Sequence, residues 1–97
     1  MTPEVIWTSG ASEDYFKADP VIAPSSAIDG IIQLLRLFPE MGSSESTRVR
    51  RVLVGRRRVY GLFYAPTQTR IVVLALVDLR QDPDIVETLL RSRGIGS

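Results

Sequence analysis

The chain has 97 residues, 44% hydrophobic and 24% charged, with a formal net charge of +1. That size supports one domain around a single core and leaves no room for a separate substrate domain. Cysteine and histidine are both absent, which excludes disulfides, thiol nucleophiles, thiolate or imidazole metal sites, and any catalytic arrangement built on an imidazole base.

The longest apolar run, Ile71 to Val77, is about a third of the roughly 20 residues a membrane-spanning helix needs. No basic-then-apolar segment at the start marks a secretion signal. A cytoplasmic location without membrane contact is therefore expected. The small net charge hides a division along the chain: residues 1–47 carry Lys17 and Arg36 against seven acids, whereas residues 48–97 carry ten arginines against four acids. Such asymmetry points to a polyanionic or acidic partner for the second half, unless the two halves pack together and offset each other. Arginine outnumbers lysine eleven to one. Its planar fork suits bidentate contact with phosphate or carboxylate, although a GC-rich genome also enriches it.

In chain order, Val5-Ile6-Trp7-Thr8 is a short β-prone run suited to an edge strand. Thr8 or Ser9 then reads as a helix N-cap, with Ala11, Tyr15 and Ala18 on one face, and Asp19-Pro20 ends that helix after two to three turns. A second helix is signalled by Ser26 and Asp29 in a capping-box arrangement and by the stripe Ile28, Ile31, Ile32, Leu35 and Phe38. Pro39 and Gly42 stop it, and Ser43 to Ser46 reads as a polar linker. Three β-runs follow, through Val52-Leu53-Val54, Val59 to Tyr64 and Ile71 to Val77, with turns at Gly55 and Pro66 to Thr69. They predict a three-stranded antiparallel meander, with the first run as an added edge strand. The broken alternation at Val49-Arg50-Arg51-Val52 suggests a bulge there. Asp82 and Pro83 open a short final helix with i, i+4 apolar pairs Ile85/Leu89 and Val86/Leu90. The fold class expected is α+β: a small antiparallel sheet against an N-terminal helical hairpin, with a short C-terminal helix, as one domain over residues 1–97.

Between Arg48 and Arg70 lie seven arginines and no acid. Like charges at this density repel unless a polyanion offsets them, so the meander is read as a nucleic-acid or acidic-peptide surface. Arg48, Arg50, Arg56 and Arg57 are its candidate phosphate contacts. Tyr60 and Tyr64 share a strand face with Arg58 and either stack on bases or fill the core. Asp78, Asp82, Asp84 and Glu87 are the only local group of acids and read as helix-capping or solvated acids. Neither a glycine-rich phosphate loop nor a metal-ligand spacing occurs, and no cofactor is expected.

The order of elements, with three stretches, resembles the RelE/ParE superfamily of toxins from bacterial type II toxin–antitoxin modules. The stretches are Val5-Ile6-Trp7-Thr8 leading into Ala11 to Asp14; Phe38-Pro39-Glu40-Met41-Gly42; and Val49-Arg50 through Tyr64 to Ile71-Val72-Val73-Leu74 and Arg80-Gln81-Asp82-Pro83. The resemblance spans about Val5 to Pro83. It implies a cognate antitoxin that wraps the toxin in a hetero-oligomer, and one of two targets: mRNA, usually cleaved on the ribosome, or DNA gyrase. Carried over by position, Arg80 matches an arginine that stabilises phosphorane charge in the nucleases, and Arg50, Arg51 and Arg58 fall in the zone of sheet-face cations. Arg80, Arg58 and Arg51 are accordingly the catalytic candidates. Asp78 stands where many relatives have histidine, the last helix lacks a tyrosine, and Glu45 can serve as a base only if its linker folds inward. The arginine-rich sheet favours mRNA cleavage. The alternatives are a gyrase inhibitor without nuclease activity and a degenerate member that only binds its antitoxin.

Overall fold

The computed structural model describes residues 2–95. Its elements are β1 (Glu4–Trp7), α1 (Ser9–Lys17), α2 (Ser25–Leu37), β2 (Ser43–Ser44), β3 (Arg50–Val54), a 3₁₀ turn (Arg56–Arg58), β4 (Tyr60–Pro66), β5 (Arg70–Asp78) and α3 (Pro83–Ser92). The strands form one sheet in the order β1-β5-β4-β3-β2, an α+β arrangement with three helices. The meander of β3, β4 and β5 is antiparallel, as the turn residues predict. The sheet as a whole is mixed rather than antiparallel, because β1 runs parallel to β5, with Glu4 opposite Arg70 and Trp7 opposite Val73. The cause is the path of the chain. α1 continues the line of β1 along β5, α2 carries the chain back, and the two reversals of the meander return β5 to the sense of β1.

The expected polar linker contributes β2, whose two residues pair with Arg50 and Arg51. The outer edge of β3 from Val52 to Val54 has no strand partner among the described residues. The two N-terminal helices contact different strands instead of forming a closed hairpin on one: α1 lies on β5 and α2 reaches β1 and β3. Thr8 caps α1, its hydroxyl accepting from Ala11 N at 3.2 Å. The capping box at Ser26 does not form. α2 begins two residues earlier, with Pro24 at the N-cap, so Ser26 already lies inside the first turn. Asp82 caps α3 through Asp84 N at 2.8 Å.

Both faces of the sheet are covered. Val52, Val54, Tyr60, Leu62, Tyr64, Ile71, Val73 and Leu76 meet Ala11, Ile28, Ile32 and Leu35 from α1 and α2. On the other face Phe63, Ala75 and Val77 pack with Val49 and Ile95, and with Leu79, Val86, Leu89 and Leu90 around α3. Ile28, Leu35, Leu62 and Ile71 are among the side chains removed almost completely from water, each contributing about 1.5–3 kcal/mol by burial.

The bulge lies elsewhere than the sequence suggests. It falls between Phe63 and Tyr64 of β4, opposite Ala75 and Val73, so Leu74 is the extra residue. Val73 and Leu76 therefore face α1 and α2, while Leu74 and Ala75 both belong to the α3 side. This reset of the two-residue alternation explains why Ile71 to Val77 is apolar without a break.

The bulge also leaves backbone groups of β5 beyond the reach of β1, whose ladder ends at Thr8 N to Val73 O. Asp14 Oδ2 accepts from Leu76 N at 3.0 Å. Arg93 Nη1 donates to Leu74 O at 3.0 Å and to Asp14 Oδ2 at 2.8 Å, and Arg93 Nη2 donates to Asp14 Oδ1 at 2.9 Å. The two side chains are only 20% and 13% exposed. Replacing either Asp14 or Arg93 with alanine leaves the other charge and a strand group unpaired, so each change is expected to lower stability by about 2–3 kcal/mol in urea unfolding. The double replacement should lower it by clearly less than the two effects added.

Tyr64 ties the end of α2 to the sheet. Its hydroxyl donates to Pro39 O at 2.8 Å and accepts from Gly42 N at 3.1 Å. Burial pushes the phenol above its usual value, against the opposing pull of the Gly42 bond and of Arg50. A raised folded value means the contribution is complete below about pH 10 and declines as pH climbs from there toward the folded value. Tyr64→Phe should lower stability at pH 7 by about 1–3 kcal/mol and flatten the alkaline decline in a pH series of denaturant melts.

Candidate functional site

The hairpin between β3 and β4 is longer than a two-residue turn, and its backbone conformation is unusual. Gly55 has φ 90°, in the region open mainly to glycine. A Cβ there would lie 2.7 Å from Ile22 O. Arg56 N donates to that same carbonyl at 2.7 Å, fastening the hairpin to the α1–α2 loop. Arg57 and Arg58 both have φ 55°, a left-handed conformation that disfavours residues with a side chain by roughly 1–2 kcal/mol. Arg58 N to Gly55 O, at 3.0 Å, closes the turn. The three arginine side chains are exposed and form no ion pair or hydrogen bond through their guanidinium groups among the described residues.

Beside this turn stands Arg80, just after β5. Its Nε and Nη2 donate to Asp78 Oδ1 and Oδ2 at 3.0 and 2.7 Å, and its backbone N donates to the same Oδ1 at 3.0 Å. The arginine hydrogen bonds hold the Asp78 carboxyl below the usual carboxylate range, and Asp78 in turn raises Arg80. Arg80 remains 53% exposed. Together with Ile22 and Val59, Arg56, Arg57 and Arg80 line a crevice of about 200 Å³. It is cationic, with one of its three guanidinium groups already neutralised.

The remaining candidates are dispersed. β3 separates the turn from Arg48 and Arg50 by about 13 Å, at 3.3 Å per residue. Arg50 is structural: its Nη1 donates to Gly42 O at 2.6 Å and to Glu40 O at 3.2 Å, bracing the loop held by Tyr64. Arg48 is exposed at that far end, along a groove that also includes Arg50, Thr47 and Thr67. Arg51 points to the α3 side, where its Nε lies 3.2 Å from Glu45 Oε1 without the alignment of a hydrogen bond. The linker carrying Glu45 closes as a turn, Glu45 N donating to Val49 O at 2.8 Å, and Glu45 stays exposed. Glu45 and Arg51 share a cavity of about 560 Å³ with Leu90, Ile95 and the exposed pair Glu87 and Arg91 of α3.

Tyr60 and Tyr64 do not present their rings for stacking. They lie under α1 and α2, 6% and 0% exposed, and Tyr60 uses its hydroxyl to accept from Asp19 N at 3.1 Å. The catalytic candidates Arg58, Arg51 and Arg80 likewise do not share one site, since Arg51 belongs to the α3 cavity. The feature that sequence reasoning passed over is the left-handed backbone at Arg57 and Arg58. Its trace was a Gly-Arg-Arg-Arg segment too long for a tight hairpin. No group of three acids is placed to hold a metal, and no helix is long and apolar enough to cross a membrane, among the described residues.

No protein family matches the chain, and no curated protein is significantly similar to it.

The turn depends on Gly55. Gly55→Ala drives a methyl against Ile22 O at a positive φ, so it is expected to lower stability by about 1–3 kcal/mol. It should also release the hairpin from the α1–α2 loop, read as faster amide exchange at Arg56 than at the β4–β5 ladder.

Proposed function

We propose that this chain is the toxin of a RelE/ParE-like type II toxin–antitoxin module, held inactive by a cognate antitoxin, and that it stops translation by cleaving mRNA on the ribosome. The observation that carries this reading is the unopposed Arg56-Arg57-Arg58 turn beside Arg80. Four guanidinium groups at one end of the sheet suit a phosphodiester backbone. The order of elements supports it as well, with two helices after the first strand, a meander, and a closing helix.

In this reading the turn holds the backbone, and Arg80 exchanges Asp78 for the scissile phosphate, where it stabilises the negative charge that develops as a 2′-hydroxyl attacks. The 2′-oxygen bonds phosphorus as its proton passes to water, and the 5′-oxygen leaves and takes a proton from water, so cleavage proceeds through charge stabilisation without the roughly 10²–10⁴-fold contribution of a positioned base.

A second reading, gyrase inhibition without nuclease activity, is favoured by a different observation. Leu34, Leu37, Phe38 and Met41 are 44–66% exposed along the end of α2, an apolar surface that RNA cleavage leaves unused.

Induction of the chain alone in a bacterial host, with pulse labelling by amino acid and thymidine, separates the two. Protein synthesis is expected to fall first, and Arg80→Ala or Arg58→Ala should abolish growth arrest while the purified domain keeps its melting temperature within a few degrees. Early loss of thymidine incorporation, insensitive to both arginine changes, would overturn the mRNA reading in favour of gyrase.

A further inference from the structure

Arg80 has the best geometry for gripping a phosphate, and Asp78 already occupies its fork through two side-chain hydrogen bonds. The turn is in the opposite condition. Arg56, Arg57 and Arg58 have no acid within ion-pair distance among the described residues. Asp19, at the start of the neighbouring loop, has its Oδ1 engaged by Val21 N at 2.9 Å. Two of the three arginines hold a left-handed backbone where glycine or asparagine would be more stable. Three adjacent like charges add repulsion. Both effects work against folding, so the side chains at these positions are explained by what they bind and not by what they stabilise. The scaffold is held in place, because Arg56 N is bonded to Ile22 O and Gly55 packs closely against the same carbonyl.

We propose that the Arg56–Arg58 turn is a preformed grip for the phosphodiester backbone of single-stranded nucleic acid, and that it works independently of Arg80, whose charge Asp78 offsets in the free protein. The proposal rests on the reading of this end of the sheet as the one that faces RNA. With Tyr60 buried and no aromatic residue lining the crevice, the grip contacts phosphates and does not stack on bases. Binding is consequently insensitive to base sequence and steeply dependent on salt. Asp78 acts as a positioning residue that sets how much of Arg80 a phosphate can recruit.

The test is fluorescence anisotropy with labelled U12 and dT12 oligonucleotides across a salt series, using the full chain. Arg57→Gly/Arg58→Gly should weaken binding about tenfold or more and reduce the slope of log K against log[salt] by about 1.4, the value for two lost contacts on single strands. Its melting temperature should hold or rise, because glycine relieves the left-handed strain, so lost binding will not reflect unfolding. Arg80→Ala should weaken binding less than the double glycine variant does, whereas Asp78→Asn should raise affinity about threefold by freeing Arg80. Comparable binding of both strands supports a grip on the shared phosphodiester chemistry, and preference for U12 with the same dependence on the turn supports it with RNA as the source. Affinity that survives the double glycine variant, a loss on Arg80→Ala as large as that on removing the turn, or displacement of U12 by an equal concentration of a 12-residue polyglutamate would each overturn it. Because the readout is binding, failure here is distinguishable from failure of the toxin reading, which growth arrest and pulse labelling decide.

Discussion

The pairing of Asp14 with Arg93 sustains more of this structure than any other polar contact. A bulged residue in β5 lets this interior strand serve both faces of the sheet, but it leaves Leu74 O and Leu76 N without a ladder partner at the point where β1 has ended. One carboxylate from α1 and one guanidinium from the end of α3 satisfy both groups and each other. Without them the bulge would carry unmet hydrogen-bonding groups in a half-buried position. Without the bulge, the alternation of Ile71 to Val77 would direct several large side chains to the wrong face. The ion pair also holds α3 to the sheet beside the apolar contacts of Val86, Leu89 and Leu90.

The arginines of the second half of the chain divide into two populations once their partners are known. Arg50, Arg51, Arg70, Arg80, Arg91 and Arg93 have a carboxylate or backbone carbonyl within reach. Those on the turn, and Arg48 before β3, do not. A charge excess that looks continuous along the sequence therefore becomes local in space. Most of it is consumed in bracing loops and strand edges, and all but Arg48 of the remainder is concentrated on one strained hairpin. This division makes the hairpin, and not the broad sheet face, the electrostatic landmark of the molecule.

Much of the architecture was legible beforehand because it is written in local chemistry. Thr8, Pro39 with Gly42, and Asp82-Pro83 mark helix ends that the structure reproduces, and the three β-runs pair as a meander. The parallel pairing of β1 was not legible, since it depends on how two helices return the chain and not on any residue within the strand. The bulge was assigned to Val49–Val52 because Arg50 and Arg51 interrupt the alternation there. Those arginines occur at the start of β3, where β2 and the Glu45 linker meet them, and no extra residue is needed. The tyrosines misled for a related reason. Alternation correctly grouped Tyr60 and Tyr64 on one face with Leu62, but sequence does not reveal which face the helices cover. Arg58 escapes their company only because its backbone turns left-handed before β4 begins.

The position of Arg93 has a temporal consequence. Its partner Asp14 lies 79 residues earlier, and β1 cannot find β5 until the whole meander has been made. During synthesis on a ribosome, the N-terminal strand and first helix must wait with their sheet-facing surfaces exposed until β5, and then Arg93, have emerged. Contacts of such long sequence separation slow folding and leave nascent chains open to misassembly. A chain cut before Arg93 would lack the guanidinium that closes the bulge.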